Sequence, residues 1–404
     1  MNILMLTSVY PQPDDGDYTT TATVEYFCKE WSRQGHNLIV IHNNSIFLKL
    51  LYYIPRGLKI YLEQKMQIQI PSKESIADID RIDGNIKIYR RAMFKLWPHT
   101  AFMNSVISKQ GQEILKIIYS NNFKPDYIIG HWANPQLQLI DWLKKHLKGN
   151  YKTALVFHND CSFRDVQAYS MFKYISSIDA IGCRNKKFGK DIKTNLKLEK
   201  IPFICYSGLP NNIVDKTNID DIISTKSRHT IICVGRLVKY KRIDLIISAL
   251  AKYTYKVKTK LEIIGDGSEK DYLRDLILAK NLRNQVSMIS NITRDEVFTH
   301  LKKSECFTLL SENETFGMVY LEAMLMGCIT IATKGCAVDG IIINGVNGFL
   351  CEAGNEKELQ DIYEKIYSMT DEDRYSMMKK AHESAKEYSD YAVASKYLND
   401  IDKY

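Results

Sequence analysis

No stretch of this 404-residue chain stays free of Asp, Glu, Lys and Arg for the roughly 18 apolar residues that a membrane-spanning helix needs. The longest such stretches, Tyr127 to Ile140 among them, also carry Asn, Gln, Pro and His. The opening MNILMLTSVYP has neither a basic leader nor a small-residue cleavage site, so no secretory signal is read and a cytoplasmic protein is expected. There is no C-x-x-C, and nine cysteines is an odd number, which argues against a disulfide framework or a zinc site. Cys205, Cys233 and Cys306 border apolar runs, as small buried hydrophobes do. The P-loop and the G-x-S-x-G elbow are missing, and no G-x-G-x-x-G follows the first strand-like run, so a nicotinamide site is not supported. D-x-D occurs at Asp78-Ile79-Asp80 and again at Asp400-Ile401-Asp402. Neither follows a convincing buried strand, and such hits in an acid-rich chain are read as chance. No metal is called for.

What is present is globular: 45% apolar and 25% charged residues, on a length that suits two or three domains. Charge is uneven. Residues 1–205 carry 28 Lys+Arg against 18 Asp+Glu, a difference of +10; residues 206–404 carry 27 against 29, a difference of −2. A basic half implies anionic neighbours, whether nucleic acid, a membrane surface or phosphorylated substrates.

Short apolar runs alternate with amphipathic stretches. Ile3–Leu6 reads as a buried strand, a helix follows over 19–34, and Asn37–Ile41 is the next strand. The rhythm returns at Tyr127–Gly130, Pro135–Lys145, Ala154–Phe157 and Ile201–Cys205. Continuous apolar strands separated by helices indicate an α/β fold with parallel sheets covered on both faces. The pattern lapses over Pro210–Ser227, a candidate linker, and restarts with Thr230–Val234, a helix over Ile243–Tyr253, Leu261–Ile264, a helix over Glu269–Lys280, Cys306–Leu310, a helix from Phe316 to Met326, and Ile329–Ala332. Two successive doubly wound, Rossmann-like units are expected, with ligands at the carboxyl ends of the strands. Residues 371–404 read as two helices with a break near Ser389. Ile46–Ile70 mixes Phe, Leu and Tyr with Lys49, Arg56, Lys59 and Lys65, which fits either a helix lying in a membrane interface or an insertion packed on its own domain.

Two clusters carry chemistry. In SENETFGMVYLEAMLMG, residues 311–327, Glu314 precedes a helix and Phe316-Gly317 provides a turn at its start. Unpaired amides and the helix dipole there favour a phosphate. Glu322 falls about 8 Å further along that axis at 1.5 Å per residue. Two carboxylates astride an anion site can hold sugar hydroxyls at one end and a ribose at the other. The second cluster, Gly235-Arg236-Leu237-Val238-Lys239-Tyr240-Lys241-Arg242, lies between a strand and a helix. Gly235 allows a close turn, Arg236 can fork onto a phosphate, and Lys241 supplies a point charge. Such cations stabilise a leaving diphosphate without a metal.

With Glu314 and Glu322 in E-x7-E, Phe316-Gly317, Glu322-Ala323-Met324 and the G-R-L…K loop, the chain resembles the retaining, family 4 glycosyltransferases of the GT-B fold, in particular those that build bacterial surface polysaccharides. The likeness extends to Gly265-Asp266-Gly267 and Asn347-Gly348-Phe349-Leu350, and is weaker in the first half. It implies two domains facing each other across a cleft: residues 1–208 binding acceptor, 209–388 binding a nucleotide-sugar, and 389–404 as a helix crossing back to the first. It implies that Glu314 contacts the transferred sugar, Glu322 the donor ribose, and Arg236 and Lys241 the diphosphate, aided by amides near Phe316 and Gly317. His158 matches the family's histidine facing the transferred sugar, and Gly16 its glycine loop over the donor. His131, at the edge of the previous strand, is a candidate for the acceptor. Gly16 is flanked by Asp15 and Asp17 where the family pairs glycines, Gly335 to Asp339 ends in a shorter acid than usual, and Leu310 stands where proline is common. The expectation is metal-independent sugar transfer from a nucleoside-diphosphate sugar to a saccharide or lipid-linked saccharide, with no further cofactor and no nucleic acid, in the cytoplasm or at the inner face of an anionic membrane. A non-catalytic glycan- or partner-binding relative and a sugar-nucleotide epimerase are the alternatives.

Overall fold

The computed structural model describes all residues except 12–21, 49–52, 56, 60, 63–76, 98–99, 159–165, 167–170, 254–257, 313, 337 and 339. The chain forms two compact units. The first comprises Met1–Arg184, Phe188–Cys205 and Ala394–Tyr404; the second comprises Asn185–Lys187 and Tyr206–Val393.

In the first unit eight strands lie in the order β3-β4-β2-β1-β5-β6-β7-β8. They are β1 (Asn2–Thr7), β2 (Asn37–Ile46), β3 (Ile79–Asp83), β4 (Ile86–Phe94), β5 (Tyr127–His131), β6 (Lys152–Phe157), β7 (Ala180–Cys183) and β8 (Phe203–Ile204). Every pairing is parallel except β3 with β4. Ile3, Leu4, Met5 and Leu6 are fully buried in succession, because a central parallel strand is covered on both faces. The order reverses about β1, which pairs β2 on one side and β5 on the other. Ligand crevices of open α/β sheets form at such a reversal, beyond the strands' carboxyl ends.

The second unit repeats the plan with six parallel strands in the order β11-β10-β9-β12-β13-β14: β9 (Ser227–Val234), β10 (Lys260–Ile264), β11 (Val286–Ile289), β12 (Ser304–Leu309), β13 (Ile329–Thr333) and β14 (Phe349–Cys351). Its reversal lies between β9 and β12. The helix Met318–Leu325 that follows β12 has Tyr320 through Leu325 buried; a helix apolar on nearly all sides belongs inside.

The polar stretch expected as a linker is not one. Residues 210–227 hold two short helices, Asn211–Val214 and Ile219–Ser224. The second is capped by the Asn218 side chain, which accepts from the Asp220 amide at 2.9 Å, and Val214 and Ile222 join the core of the second unit. Asn218 is there as a cap, while Asp215, Asp220 and Asp221 form the exposed side of the segment.

The last helix, Asp390–Lys403, begins directly after Ser389. Leu209 holds the junction, donating its amide to the Tyr388 carbonyl at 2.8 Å and accepting from the Asp390 amide at 2.7 Å. A Cβ on neighbouring Gly208 would lie 2.5 Å from Asp390 Cα. From Ala394 onward the helix is part of the first unit. Trp31 donates its indole N–H to the Ala394 carbonyl at 2.9 Å, Tyr397 stands edge-on to Phe27 at 5.1 Å, and the Tyr127 hydroxyl donates to Asp402 at 2.9 Å.

Gly16 and most of the helix expected over 46–70 lie outside the described residues. Among those described, no helix is long and apolar enough to cross a membrane. Eight cysteines are described, none of them in a disulfide, and seven are buried.

Candidate functional site

The loop after β9 is fastened to the loop after β10. Gly235 donates its amide to the Ile264 carbonyl at 3.0 Å, Leu237 to Asp266 at 2.9 Å, and Glu269 to Leu237 at 2.9 Å. Gly265 and Gly267 make this approach possible: a Cβ would sit 2.0 Å from the Gly235 carbonyl oxygen at the first and 2.3 Å from the Leu237 oxygen at the second. Leu237 is fully buried. Arg236, between two pinned residues, is exposed; its carbonyl accepts from the Val238 amide at 2.9 Å, and its guanidinium has no hydrogen bond or ion pair to any described residue. A guanidinium held on a rigid loop with its donors unspent suits an incoming anion.

The chain then turns through a short 3₁₀ segment, Lys239–Lys241, and meets the loop after β12. Glu312 donates its amide to the Tyr240 carbonyl at 2.9 Å. Two ion pairs join the loops side by side, Lys241 with Glu314 and Arg242 with Glu312. Arg242, at a left-handed φ of 51°, also reaches Asp244 at 3.3 Å. Lys241 and Glu314 are mostly shielded, with side chains 12% and 15% exposed, so their attraction is weakly screened. Both loops leave the carboxyl ends of the strands that flank the reversal of the second sheet.

Gly317 opens the helix Met318–Leu325 at φ 69°, in the left-handed region. This is why the helix starts at Met318 and not at Phe316. A Cβ there would lie 2.6 Å from the Tyr320 ring and 3.0 Å from Glu314 Cγ. The Tyr320 hydroxyl donates to the Leu309 carbonyl at 2.9 Å and fixes the first turn to β12; burial pushes this phenol well above its usual range. The Phe316 ring is buried and packs against Tyr206 at 5.7 Å, so what it can offer a ligand is backbone. Glu322 is buried on the helix. Arg294 donates to its Oε1 from Nε at 2.8 Å and from Nη2 at 2.6 Å, leaving Oε2 without a described partner.

In the first unit, His131 ends β5 and His158 follows β6. His131 is completely buried. Its Nδ1 lies 2.7 Å from His158 Nε2, and its Nε2 lies 3.0 Å from the Tyr397 hydroxyl. Trp132, at φ 65°, stacks on His158 with ring centroids 3.9 Å apart. Burial, with the Arg184 guanidinium nearby, pushes His131 down to about 3. Burial, then His131, then Arg184 depress His158 well below the usual imidazole range. Both rings are neutral near pH 7.

Of the residues singled out in the sequence, the structure thus brings Lys241 against Glu314 and His131 against His158. Gly235, Arg236, Phe316, Gly317 and Glu322 stand on the same loop system of the second unit without touching that ion pair through recorded bonds. His131, expected at an acceptor, has both ring nitrogens engaged inside its own unit. Two partners were not foreseen, Arg294 and Tyr397. Arg294 had a local signal: Thr293 and Glu296 form a reciprocal capping box, which places Arg294 at a helix start just after β11, on the ligand-binding edge. Tyr397 had none. The D-x-D stretches at Asp78–Asp80 and Asp400–Asp402 are structural. Asp80 pairs with Arg91 at 2.5 Å on the edge strand β3, and Asp400 and Asp402 pair with Lys396 and Lys152 on the last helix.

Two doubly wound sheets with this loop constellation define a class, and comparison with known proteins agrees on it. Residues 215–386 match the family model of glycosyl transferases group 1. The chain is 26% identical over 268 residues to an uncharacterized glycosyltransferase of Methanocaldococcus jannaschii, covering 65% of this chain and 70% of that protein. It is 33% identical over 175 residues to the N-acetyl-alpha-D-glucosaminyl L-malate synthase of Bacillus anthracis, covering 43% of this chain and 45% of the enzyme, so less than half of that relative is matched. Among solved structures, a glycosyltransferase from Rickettsia africae superposes with a TM-score of 0.66 at 16% identity, covering 100% and 98% of the two chains. Anabaena HepE in complex with UDP and glucose superposes with a TM-score of 0.63 at 17% identity over 100% of both. The fold is that of the GT-B glycosyltransferases, and the matches support the group 1 family and a sugar-transfer function.

Proposed function

We propose that the protein is a retaining glycosyltransferase that moves a sugar from a nucleoside-diphosphate sugar to a saccharide or lipid-linked saccharide, without a metal. The observation that carries this reading is the Lys241–Glu314 contact at the reversal of the second sheet. It sets a cation for the phosphate beside a carboxylate for the sugar, astride the bond that must break. Arg236 adds an unspent guanidinium, the Gly317 turn adds amides at a helix start, and Glu322 offers Oε2 to a ribose.

The bond between C1 and the diphosphate oxygen breaks with its electron pair leaving on that oxygen, where Arg236 and Lys241 stabilise the charge. The acceptor oxygen bonds to C1 on the same face, and its proton passes to the departing phosphate. No side chain acts as covalent nucleophile. His158 donates to the sugar. The +10 balance of residues 1–205, and the exposed Tyr53, Leu58, Trp97 and Met103 of that unit, favour a lipid-linked acceptor at an anionic membrane surface.

Nucleoside-diphosphate sugars screened by thermal unfolding identify the donor; one present at 100 times its Kd adds about 2.7 kcal/mol. That donor then releases nucleoside diphosphate in the presence of acceptor, and NMR of the product shows the donor's own anomeric configuration. A panel in which no donor stabilises or turns over defeats the reading, and an inverted product defeats retention. Vesicles rich in anionic lipid float the protein at low salt and not at high salt; failure at low salt removes the membrane surface from the proposal.

A further inference from the structure

We propose that the second unit holds a further anion site, for a phosphorylated sugar or polyol, in a cavity at the amino-terminal edge of its sheet. The donor loops leave the opposite, carboxyl edge, so the two sites are separate. The inference does not depend on the reaction proposed above.

Topology opens the space. β9, β10 and β11 follow one another across the sheet, and the return from β11 to β12 reverses that direction. Right-handed crossovers therefore put the returning helix, Arg294–Lys303, on the face opposite to the helices that join β9 to β10 and β10 to β11. It packs on β9 and β12. The amino ends of β10 and β11 beside it become one wall of a cavity of about 500 Å³, a volume that suits a ligand of metabolite size.

Charge selects the ligand. Lys260 opens β10, Arg283 lies in the turn before β11, and Lys303 ends the returning helix; all three line the cavity. Each is exposed, with its charged group bonded to no described residue. The one acid in the described lining, Glu262, is engaged by His300 Nδ1 at 2.7 Å. Residues 206–404 carry 27 Lys+Arg against 29 Asp+Glu, so this gathering of cations runs against the balance of its half of the chain. Helix ends explain only part of it. The helices Lys270–Ala279 and Arg294–Lys303 both end at this edge, and each carboxyl end carries about −0.5 charge. That offsets about one of the three cations and leaves about two, which matches a phosphate monoester near pH 7.

The cations are held in place. The Leu282 carbonyl accepts from the Gln285 and Val286 amides at 2.9 Å, which fixes Arg283 and Asn284 in a tight turn. Ser304 Oγ donates to the His300 carbonyl at 3.0 Å, where the helix stops. Asn284 and Ser287, exposed on the lining, offer an amide and a hydroxyl to sugar oxygens. No described Phe, Tyr or Trp lines the cavity, so a nucleobase has nothing to stack on, and a sugar or polyol phosphate fits better than a nucleotide.

Glucose 6-phosphate, titrated calorimetrically into the whole chain at low salt, is the probe, with inorganic phosphate and glucose as controls. The chain binds glucose 6-phosphate saturably and more tightly than phosphate, glucose does not bind, and added salt weakens the affinity. Hydrogen exchange slows over residues 283–287 and 300–304 when the probe is bound. Arg283→Gln combined with Lys303→Gln weakens binding by about tenfold or more, the scale of one hydrogen bond to a charged group. Both positions are exposed, so the ligand-free melting temperature stays native. Arg236→Ala leaves the affinity unchanged. Absence of saturable binding overturns the inference, and so does binding that survives the double variant. Binding lost in Arg236→Ala overturns it too, because the probe then sits in the donor loops. Equal affinity for phosphate and glucose 6-phosphate overturns the assignment to a sugar phosphate. A chain that binds the probe here and turns over no nucleotide-sugar defeats the proposed reaction alone.

Discussion

Arg236 and Lys241 follow the same strand and carry the same charge, yet they meet different surroundings. Arg236 is exposed and unpaired among the described residues, so Arg236→Ala leaves stability within about 0.5 kcal/mol while turnover falls ~10²–10³-fold. Lys241→Ala has the same effect on turnover and also strands the shielded Glu314 carboxylate, so its urea midpoint drops as well. Parallel kinetics and urea titration separate the two. Near-native turnover in either variant removes the proposed clamp. Arg294→Ala strips both donors from Glu322 and costs about 2 kcal/mol, the scale of a hydrogen bond to a charged group; unchanged urea stability would show the pair to be incidental. At this scale the sequence was legible only where a residue's role follows from its neighbours along the chain. Arg236, Lys241 and Glu314 sit in strand-to-helix loops whose composition announces an anion site. The bonds Arg294–Glu322 and Tyr397–His131 span 28 and 266 residues, and nothing local encodes them.

Among elements, the doubly wound rhythm was readable because buried parallel strands are continuous apolar runs. The helix expected over Ile243–Tyr253 occupies those residues, and β9, β10, β12 and β13 each contain most of the run expected. Strands with polar faces escaped. β3 is Ile-Asp-Arg-Ile-Asp with alternate residues exposed, and it owes its place to antiparallel pairing with β4. The two helices within 210–227 escaped because helices of four and six residues look like loops in composition. The loops of the second unit depend on glycine at two points. Gly317→Ala must adopt φ 69° and meet the Tyr320 ring, which costs about 1–2 kcal/mol. Gly265→Ala drives a methyl into the Gly235 carbonyl oxygen, a backbone atom with no room to yield, so it displaces the Arg236 loop. Calorimetric melting together with donor titration shows both penalties; Gly265→Ala with native melting and donor affinity would mean that the fastening of the two loops is dispensable.

On the scale of the whole molecule, three histidines of the first unit are held neutral by burial: His42 and His131 at about 3, and His158 well below the usual imidazole range. Their ordinary value near 6.5 belongs to the unfolded chain. Below pH 6.5 the unfolded state takes up protons that the fold refuses. Stability is therefore complete above that pH and falls on acidification toward pH 3, by about 1.4 kcal/mol per pH unit for each histidine. His42→Asn reduces that slope by one such increment in urea titrations between pH 6.5 and 4; an unchanged slope means His42 is protonated in the fold.

Residues 394–404 complete the first unit only after the entire second unit has been translated. A ribosome-bound chain that stops before Ala394 carries a first unit in which Trp31 lacks its acceptor and Phe27 its neighbour Tyr397. On an emerging polypeptide the amino-terminal module thus waits, half-closed, for a tail made nearly two hundred residues later. Maturation of this protein is gated at its far end, and the first unit expressed alone without that tail becomes a client for chaperones.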